Sequence, residues 1–149
     1  MKNLVYLCVL IISFGCGDDS DPAGNPKVEE VQDFVTNGKW QVGYFFNADK
    51  DETEKYSQYT FQFLPNGLLA ASDGPASLSG GWSVMHQSDS NDDSRDYGDI
   101  DFNISFTSVP VLAELSEDWE IISASNTKIE LRNISGGNGS IDLLTLQKV

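Results

Sequence analysis

The chain has little of the side-chain chemistry on which most enzymes and metal sites depend. Its 149 residues include one histidine, His86, and two cysteines, Cys8 and Cys16. A Ser-His-Asp or Cys-His site would have to use His86, which the strand pattern places at a barrel-facing or rim position. The sequence offers no His/Cys cluster for zinc or copper. We therefore expect a protein that is not an enzyme and uses no cofactor or metal.

Basic residues are scarce as well. Nine Lys and Arg stand against 23 Asp and Glu, which gives a formal net charge of −14. Such a surface repels phosphate backbones and anionic headgroups, so we expect neither nucleic acid nor anionic lipid as a direct partner. The acidic spacing Asp89-x-Asn91-x-Asp93 resembles a calcium loop but lacks the turn glycine and the final glutamate, so we interpret it as a solvated loop.

No apolar run is long enough to span a membrane as a helix, which needs about 20 residues. The longest run, residues 4–14, follows Lys2 and ends at Gly15-Cys16, after which the chain turns acidic. This pattern predicts a signal peptide over residues 1–15. The junction resembles a bacterial lipobox, which implies that Cys16 receives diacylglycerol and becomes the mature N-terminus. The alternative is that Cys16 is an ordinary residue that is trimmed away or left near a cleavage point.

Residues 16–26 have almost no apolar side chains and predict a flexible acidic tether. Their acidic run resembles the export tags that send some lipoproteins of Gram-negative bacteria to the outer face of the outer membrane. We therefore expect an outer-membrane lipoprotein of the cell envelope, displayed on the surface and held to the membrane through its lipid anchor. The alternative is that the run is only a solvated spacer.

The remaining residues, 27–149, predict one all-β domain. Val28, Val31, Phe34 and Val35 have helical spacing and predict one short N-terminal helix. Beyond it the hydrophobic period becomes two, with turn residues between the runs, and no run could serve as a crossover helix for a parallel sheet. The eight predicted antiparallel strands, which we expect to close into an up-and-down barrel, are residues 39–47, 56–64, 67–73, 79–86, 99–107, 117–124, 127–133 and 141–148.

The order of these features resembles the lipocalin-like domain of small bacterial lipoproteins. The residues that carry the likeness are Gly-Lys-Trp-Gln-Val at 38–42, Tyr-x-Phe-x-Phe at 59–63 before Pro-Asn-Gly at 65–67, Gly-Gly-Trp-Ser-Val at 80–84, Asp-Trp-Glu-Ile at 118–121, and Leu-Thr-Leu-Gln-Lys at 144–148. They cover nearly the whole domain. The resemblance implies a barrel and assigns no ligand.

Alternation in the first strand predicts that Trp40, Val42, Tyr44 and Phe46 face the barrel interior. Two hypotheses follow for function. In the first, the barrel binds a small apolar or amphipathic molecule in its interior. In the second, the interior is a solid core, and the protein is an accessory interaction module of a cell-envelope complex. The predicted ligand-binding side chains of the first hypothesis are Trp40, Tyr44, Tyr59, Phe61, Trp82, Phe102 and Trp119.

Overall fold

The computed structural model describes residues 28–86, 100–137 and 139–149. The predicted signal peptide, Cys16, the tether and the Asp89–Asp93 loop lie outside the described residues. Among the described helices, none has the length and apolar character needed to cross a bilayer. The elements in chain order are α1 (Val28–Thr36), β1 (Trp40–Asn47), β2 (Lys50–Asp51), the 3-10 helix η1 (Thr53–Tyr56), β3 (Thr60–Phe63), β4 (Leu68–Ser72), β5 (Ser77–His86), β6 (Ile100–Ser105), α2 (Pro110–Ala113), β7 (Asp118–Ala124), β8 (Lys128–Ile134) and β9 (Ile141–Lys148).

Eight antiparallel strands form the closed barrel that the sequence pattern predicts, with α1 before it. Each strand from β3 to β8 pairs with the next, β9 pairs with β1, and β1 pairs with β3 to complete the ring. The two-residue strand β2 adds to the edge of β1. The Pro65-Asn66-Gly67 turn between β3 and β4 forms as predicted, since Gly67 has a φ of +80° and the Asn66 side chain accepts a hydrogen bond from the Leu68 amide.

Alternating side chains from all eight strands fill one core. In β6, Ile100, Phe102 and Ile104 are buried while Asp101 and Asn103 lie toward solvent. The aromatic rings meet edge to face, as in the Phe63–Trp82 and Phe63–Phe102 pairs with centroids 5.4 and 5.6 Å apart. The largest fully buried side chains of the strands are Trp40, Phe45, Phe61, Phe63, Leu69, Phe102, Trp119, Ile129 and Leu131.

The predicted alternation of β1 is wrong beyond Val42. Its pairing with β9 shifts register between Val42 and Tyr44, where a β-bulge places one extra residue in β1. Beyond the bulge, Phe45 is buried, whereas Tyr44 and Phe46 point outward. Tyr44 therefore does not face the barrel interior, contrary to its predicted role as a lining residue.

Helix α1 closes the end of the barrel where β1 begins. Val31 and Val35 on its buried face belong to the core, and α1 contacts β3 and β5. The Trp40 indole donates a hydrogen bond to the Val35 carbonyl (2.8 Å), and the Gln32 amide donates one to the Val84 carbonyl (3.3 Å). The helix thus plugs this end of the barrel. Its buried side chains pack into the core, and hydrogen bonds join it to residues of β1 and β5.

Two shorter segments, η1 and α2, close the opposite end. The Tyr56 hydroxyl of η1 donates a hydrogen bond to the Val111 carbonyl of α2 (2.8 Å), and the Lys55 ammonium lies 3.0 Å from the Glu114 carboxylate. Burial raises the pKa of the Tyr56 phenol, and the nearby Glu114 charge raises it further. The phenol therefore stays protonated and acts as a hydrogen-bond donor. Buried Leu112 of α2 completes this second plug.

The seam between β1 and β3 has a single register pair, Trp40 with Phe61. Residues of η1 take the place of strand partners farther along β1: the Thr53 hydroxyl accepts a hydrogen bond from the Phe45 amide (2.9 Å), and the Phe45 carbonyl accepts one from the Glu52 amide. The Thr53 hydroxyl in turn donates to Asp51 (2.6 Å), which lowers the pKa of that carboxyl. The residues at the start of the second plug therefore also close the gap in the barrel wall between β1 and β3.

Candidate functional site

Six of the seven side chains predicted to line a ligand cavity do face the interior, but they are packed as core. Trp40, Phe102 and Trp119 are completely inaccessible to solvent. Phe61, Tyr59 and Trp82 retain only a few per cent of their surface. Tyr44, the seventh, lies on the outer wall with 36% of its surface exposed.

The indole N–H groups of the three tryptophans are used within the protein. The Trp119 indole donates to the Leu115 carbonyl (3.1 Å) and the Trp82 indole to the Leu64 carbonyl (2.9 Å), in the same manner as Trp40 with Val35. Among the described residues, no buried side-chain nitrogen or oxygen lacks a hydrogen-bond partner. Main-chain carbonyls therefore already engage the indole donors that could orient a bound molecule in the core.

The outer wall carries an apolar surface that the sequence pattern did not predict. We define the outer patch as the exposed or half-buried apolar side chains on β1, β8 and β9, namely Tyr44, Phe46, Ile134, Ile141 and Leu143. Phe46 stands opposite Leu143, and Ile134 stands opposite Ile141. The Tyr44 and Phe46 rings lie nearly parallel, with centroids 6.4 Å apart.

The bulge in β1 creates this patch. Because it shifts the alternation by one residue, it moves two large aromatic side chains from the predicted interior to the outside. It also sets Phe46 beside Leu143 of the neighbouring strand, so that four apolar residues from the two strand pairs lie side by side. Contiguous exposed apolar patches on soluble domains mark interaction sites far more often than single exposed residues do.

Charged residues flank the outer patch on both sides. Asp51 of β2 is the cross-strand neighbour of Phe46. On the other side, Arg132 is the cross-strand neighbour of Leu143, and its guanidinium forms an ion pair with Glu120 (2.7 Å). An apolar centre with a charged, solvent-exposed rim is the usual anatomy of a protein interface.

The remaining candidate for chemistry is the single histidine, His86. His86 is exposed at the end of β5, consistent with its predicted rim position. No group of three or more His, Cys, Asp or Glu among the described residues is arranged to hold a metal ion.

Comparison with known proteins finds no match to this chain among family models, curated proteins or solved structures. The resemblance to lipocalin-like lipoprotein domains therefore stays a prediction, and the site must be argued from its own geometry.

Proposed function

We propose that this protein is a non-enzymatic, lipid-anchored module of the cell envelope that binds a partner protein through the outer patch. The observation that carries the proposal is the combination of a packed interior with a contiguous apolar surface on the outer wall. Because the side chains of the protein fill the barrel interior, recognition of another molecule has to use the outer surface. Within the patch, strand pairing sets half-buried Phe46 beside half-buried Leu143 and exposed Ile134 beside exposed Ile141.

The packed interior favours this function over ligand binding inside the barrel. A ligand there would have to displace rings such as Trp119 and Phe102, which have no solvent exposure, and separate the edge-to-face pairs that they form with Phe45 and Phe63. Burying such rings contributes about 1.5–3 kcal/mol each, so a cavity would have to be opened against a large part of the folding free energy.

The charge of the chain indicates what kind of partner fits. At a net charge of −14, two copies of this protein repel each other, whereas a partner with basic residues around an apolar centre is attracted. Contact with Asp51 at one edge of the patch would add local complementarity, whereas Glu120 at the other edge is already paired with Arg132. We therefore expect a basic envelope protein as the occupant, and we expect binding to weaken as ionic strength rises.

The outer patch is tested by the double variant Tyr44→Ser/Phe46→Ser. Chemical crosslinking in intact cells, followed by affinity purification and quantitative mass spectrometry, measures recovery of the partner. We expect recovery to fall about tenfold or more, because aromatic residues at the centre of an interface carry much of the binding energy. Met85→Ser is the matched control, since Met85 is exposed on the far strand β5 and should keep wild-type recovery.

Two results would contradict the assignment to the outer patch. One is equal recovery by the double variant and by Met85→Ser, with both folded by circular dichroism. The other is a stoichiometric apolar compound in an organic extract of the purified protein with no crosslinked partner, which would support ligand binding in the barrel instead.

The lipid anchor is tested separately with Cys16→Ser. Cells that are fed an alkyne fatty acid should label the wild-type protein and leave this variant unlabelled, because only a thiol at the mature N-terminus accepts diacylglycerol. The variant should also move from the detergent phase to the aqueous phase in phase partitioning, since stable membrane attachment requires the acyl chains. Equal labelling of Cys8→Ser and wild type is the control, and labelling of Cys16→Ser would overturn the proposed anchor site.

A further inference from the structure

A polar groove lies at the barrel end closed by α2 and η1, beside the outer patch and separate from the core. Its volume is about 390 Å³, within the range of about 300–1,000 Å³ that is typical of small-molecule sites. The ends of β1, β8 and β9 form it together with the residue before β7. Its principal side chains are Asn47, Glu117, Asn133, Ile134, Ser135 and Asp142.

Three polar side chains of this groove, those of Asn47, Asn133 and Glu117, are not used by the turns around it. At other turns the polar side chains cap their own backbone: Asn66 accepts from the Leu68 amide, and Asp73 accepts from the Ala76 amide. By contrast, within the described ranges the side chains of Asn47, Asn133 and Glu117 form no hydrogen bond, although both asparagines are half-buried. Half-buried amides of this kind gain the most from an outside partner.

One wall of the groove is held in place. The Asp142 carboxylate accepts a hydrogen bond from the Ala48 amide (3.1 Å), at a turn where Ala48 and Asp49 both have positive φ. This bond fixes one carboxylate oxygen and the β1–β2 turn against β9. The Asp142 carboxylate therefore has a defined position in the groove without a ligand.

The lining selects against charged anions and favours hydroxyl groups. Two carboxylates and no Lys or Arg line the groove, so phosphates, sulfates and carboxylates are repelled. Side-chain amides offer a donor and an acceptor side by side, and carboxylates accept from hydroxyl groups. Ile134, with 46% of its surface exposed, offers an apolar contact for C–H groups. This mixture of donors, acceptors and one apolar face matches a sugar ring.

We infer that the groove formed by Asn47, Glu117, Asn133, Ile134 and Asp142 is a binding site for neutral saccharides. Asn47 and Asn133 hydrogen-bond ring hydroxyls as both donors and acceptors, while Glu117 and Asp142 accept from further hydroxyls. Ile134 packs against the apolar face of the ring. The site is independent of the outer patch, apart from Ile134, which borders both.

The test is a titration of the ¹⁵N-labelled protein with a panel of neutral sugars: glucose, galactose, mannose, N-acetylglucosamine, maltose and lactose, each to millimolar concentration. At least one sugar should shift the side-chain amide resonances of Asn47 and Asn133 in a saturable manner. Those of Asn66 and Asn126, which lie at the other end of the barrel, should not move. Asn133→Ala should lower the affinity for that sugar about tenfold, which is the loss expected for one half-buried hydrogen-bond partner. Asn126→Ala should leave the affinity unchanged.

Three outcomes would overturn the inference. The first is the absence of saturable shifts with every sugar in the panel. The second is binding that Asn133→Ala leaves intact while that variant keeps the wild-type melting temperature. The third is a groove that responds to spermidine or Ca²⁺ and not to sugars, which would identify it as a cation site. None of these bears on partner recovery through Tyr44 and Phe46, so the two proposals fail separately.

Discussion

Phe45→Ala is expected to lower the free energy of unfolding by about 3–5 kcal/mol, whereas Tyr44→Ala is expected to change it by less than about 1 kcal/mol. The two residues are adjacent in β1 and both are aromatic. Phe45 is fully buried and meets Tyr56 and Trp119 edge to face, with centroids 5.2 and 6.4 Å apart. Tyr44 lies on the outer wall. Urea denaturation followed by tryptophan fluorescence measures both values.

This pair of variants also tests the bulge. Uninterrupted alternation from Trp40 places Tyr44 inside and Phe45 outside, which predicts the reverse order of the two losses. Similar losses for both variants would mean that the shift of register between Val42 and Tyr44 does not persist in solution. The outer patch would then lose its two aromatic members.

Val35→Asp is expected to cost about 3–5 kcal/mol, because the new carboxylate would be buried without a cationic partner. Val35 has no solvent exposure, and its carbonyl accepts the Trp40 indole hydrogen bond. Asn37→Asp is the matched control, since it adds the same charge at an exposed position just beyond α1 and should cost less than about 1 kcal/mol. Equilibrium unfolding in urea measures both variants.

The loss in Val35→Asp should depend on pH. Burial raises the folded-state pKa of the introduced carboxyl above its unfolded value, so the variant regains stability as the pH falls through that raised pKa and the group becomes neutral. The control has no such recovery. A loss that is equally small for both variants at neutral pH would mean that α1 detaches at little cost and does not plug the barrel.

Hydrophobic period and turn chemistry were sufficient to predict the architecture of this chain. The strands around Phe61 and Phe102 alternate strictly between apolar and polar residues, and Trp82-Ser83-Val84 does so within β5. All three strands form in the predicted regions, except that the predicted strand 56–64 begins only at Thr60, because Tyr56 belongs to η1. The residues 65–67 contain both the proline and the glycine that a tight turn needs. In these segments the local conformational preference and the burial pattern indicate the same structure, so the strands and the turn can be predicted from the sequence.

The face of Tyr44 could not be predicted in the same way. Residues 44–46 are three aromatic residues in a row, so either alternation buries at least one large ring, and the pattern does not distinguish them. The choice depends on pairing with β9, almost a hundred residues later in the chain. The interior presents a related ambiguity, because large aromatic side chains serve equally well to line a cavity or to fill it.

Helices α1 and α2, which help to close opposite ends of the barrel, differ in how clearly the sequence predicts them. The apolar residues of α1 have clear helical spacing, and Val31 and Val35 are buried as that spacing suggests. The four-residue α2 is too short for a periodic pattern, and only Pro110 at its start indicates a helix. The polar groove has no local signal, since the end of β1 and the residue before β7 meet the β8–β9 turn from distant parts of the sequence.

The hydrogen bonds between β1 and β9 have a consequence for biogenesis. Trp40, the first residue of β1, pairs with Lys148, the last residue of β9, so the ring cannot close until β9 has been synthesised and has reached β1. Until then β1 has only its short pairings with β2 and β3, and the barrel stays open. Loss of β9 would leave the facing edges of β1 and β8 unpaired, and unpaired strand edges promote aggregation.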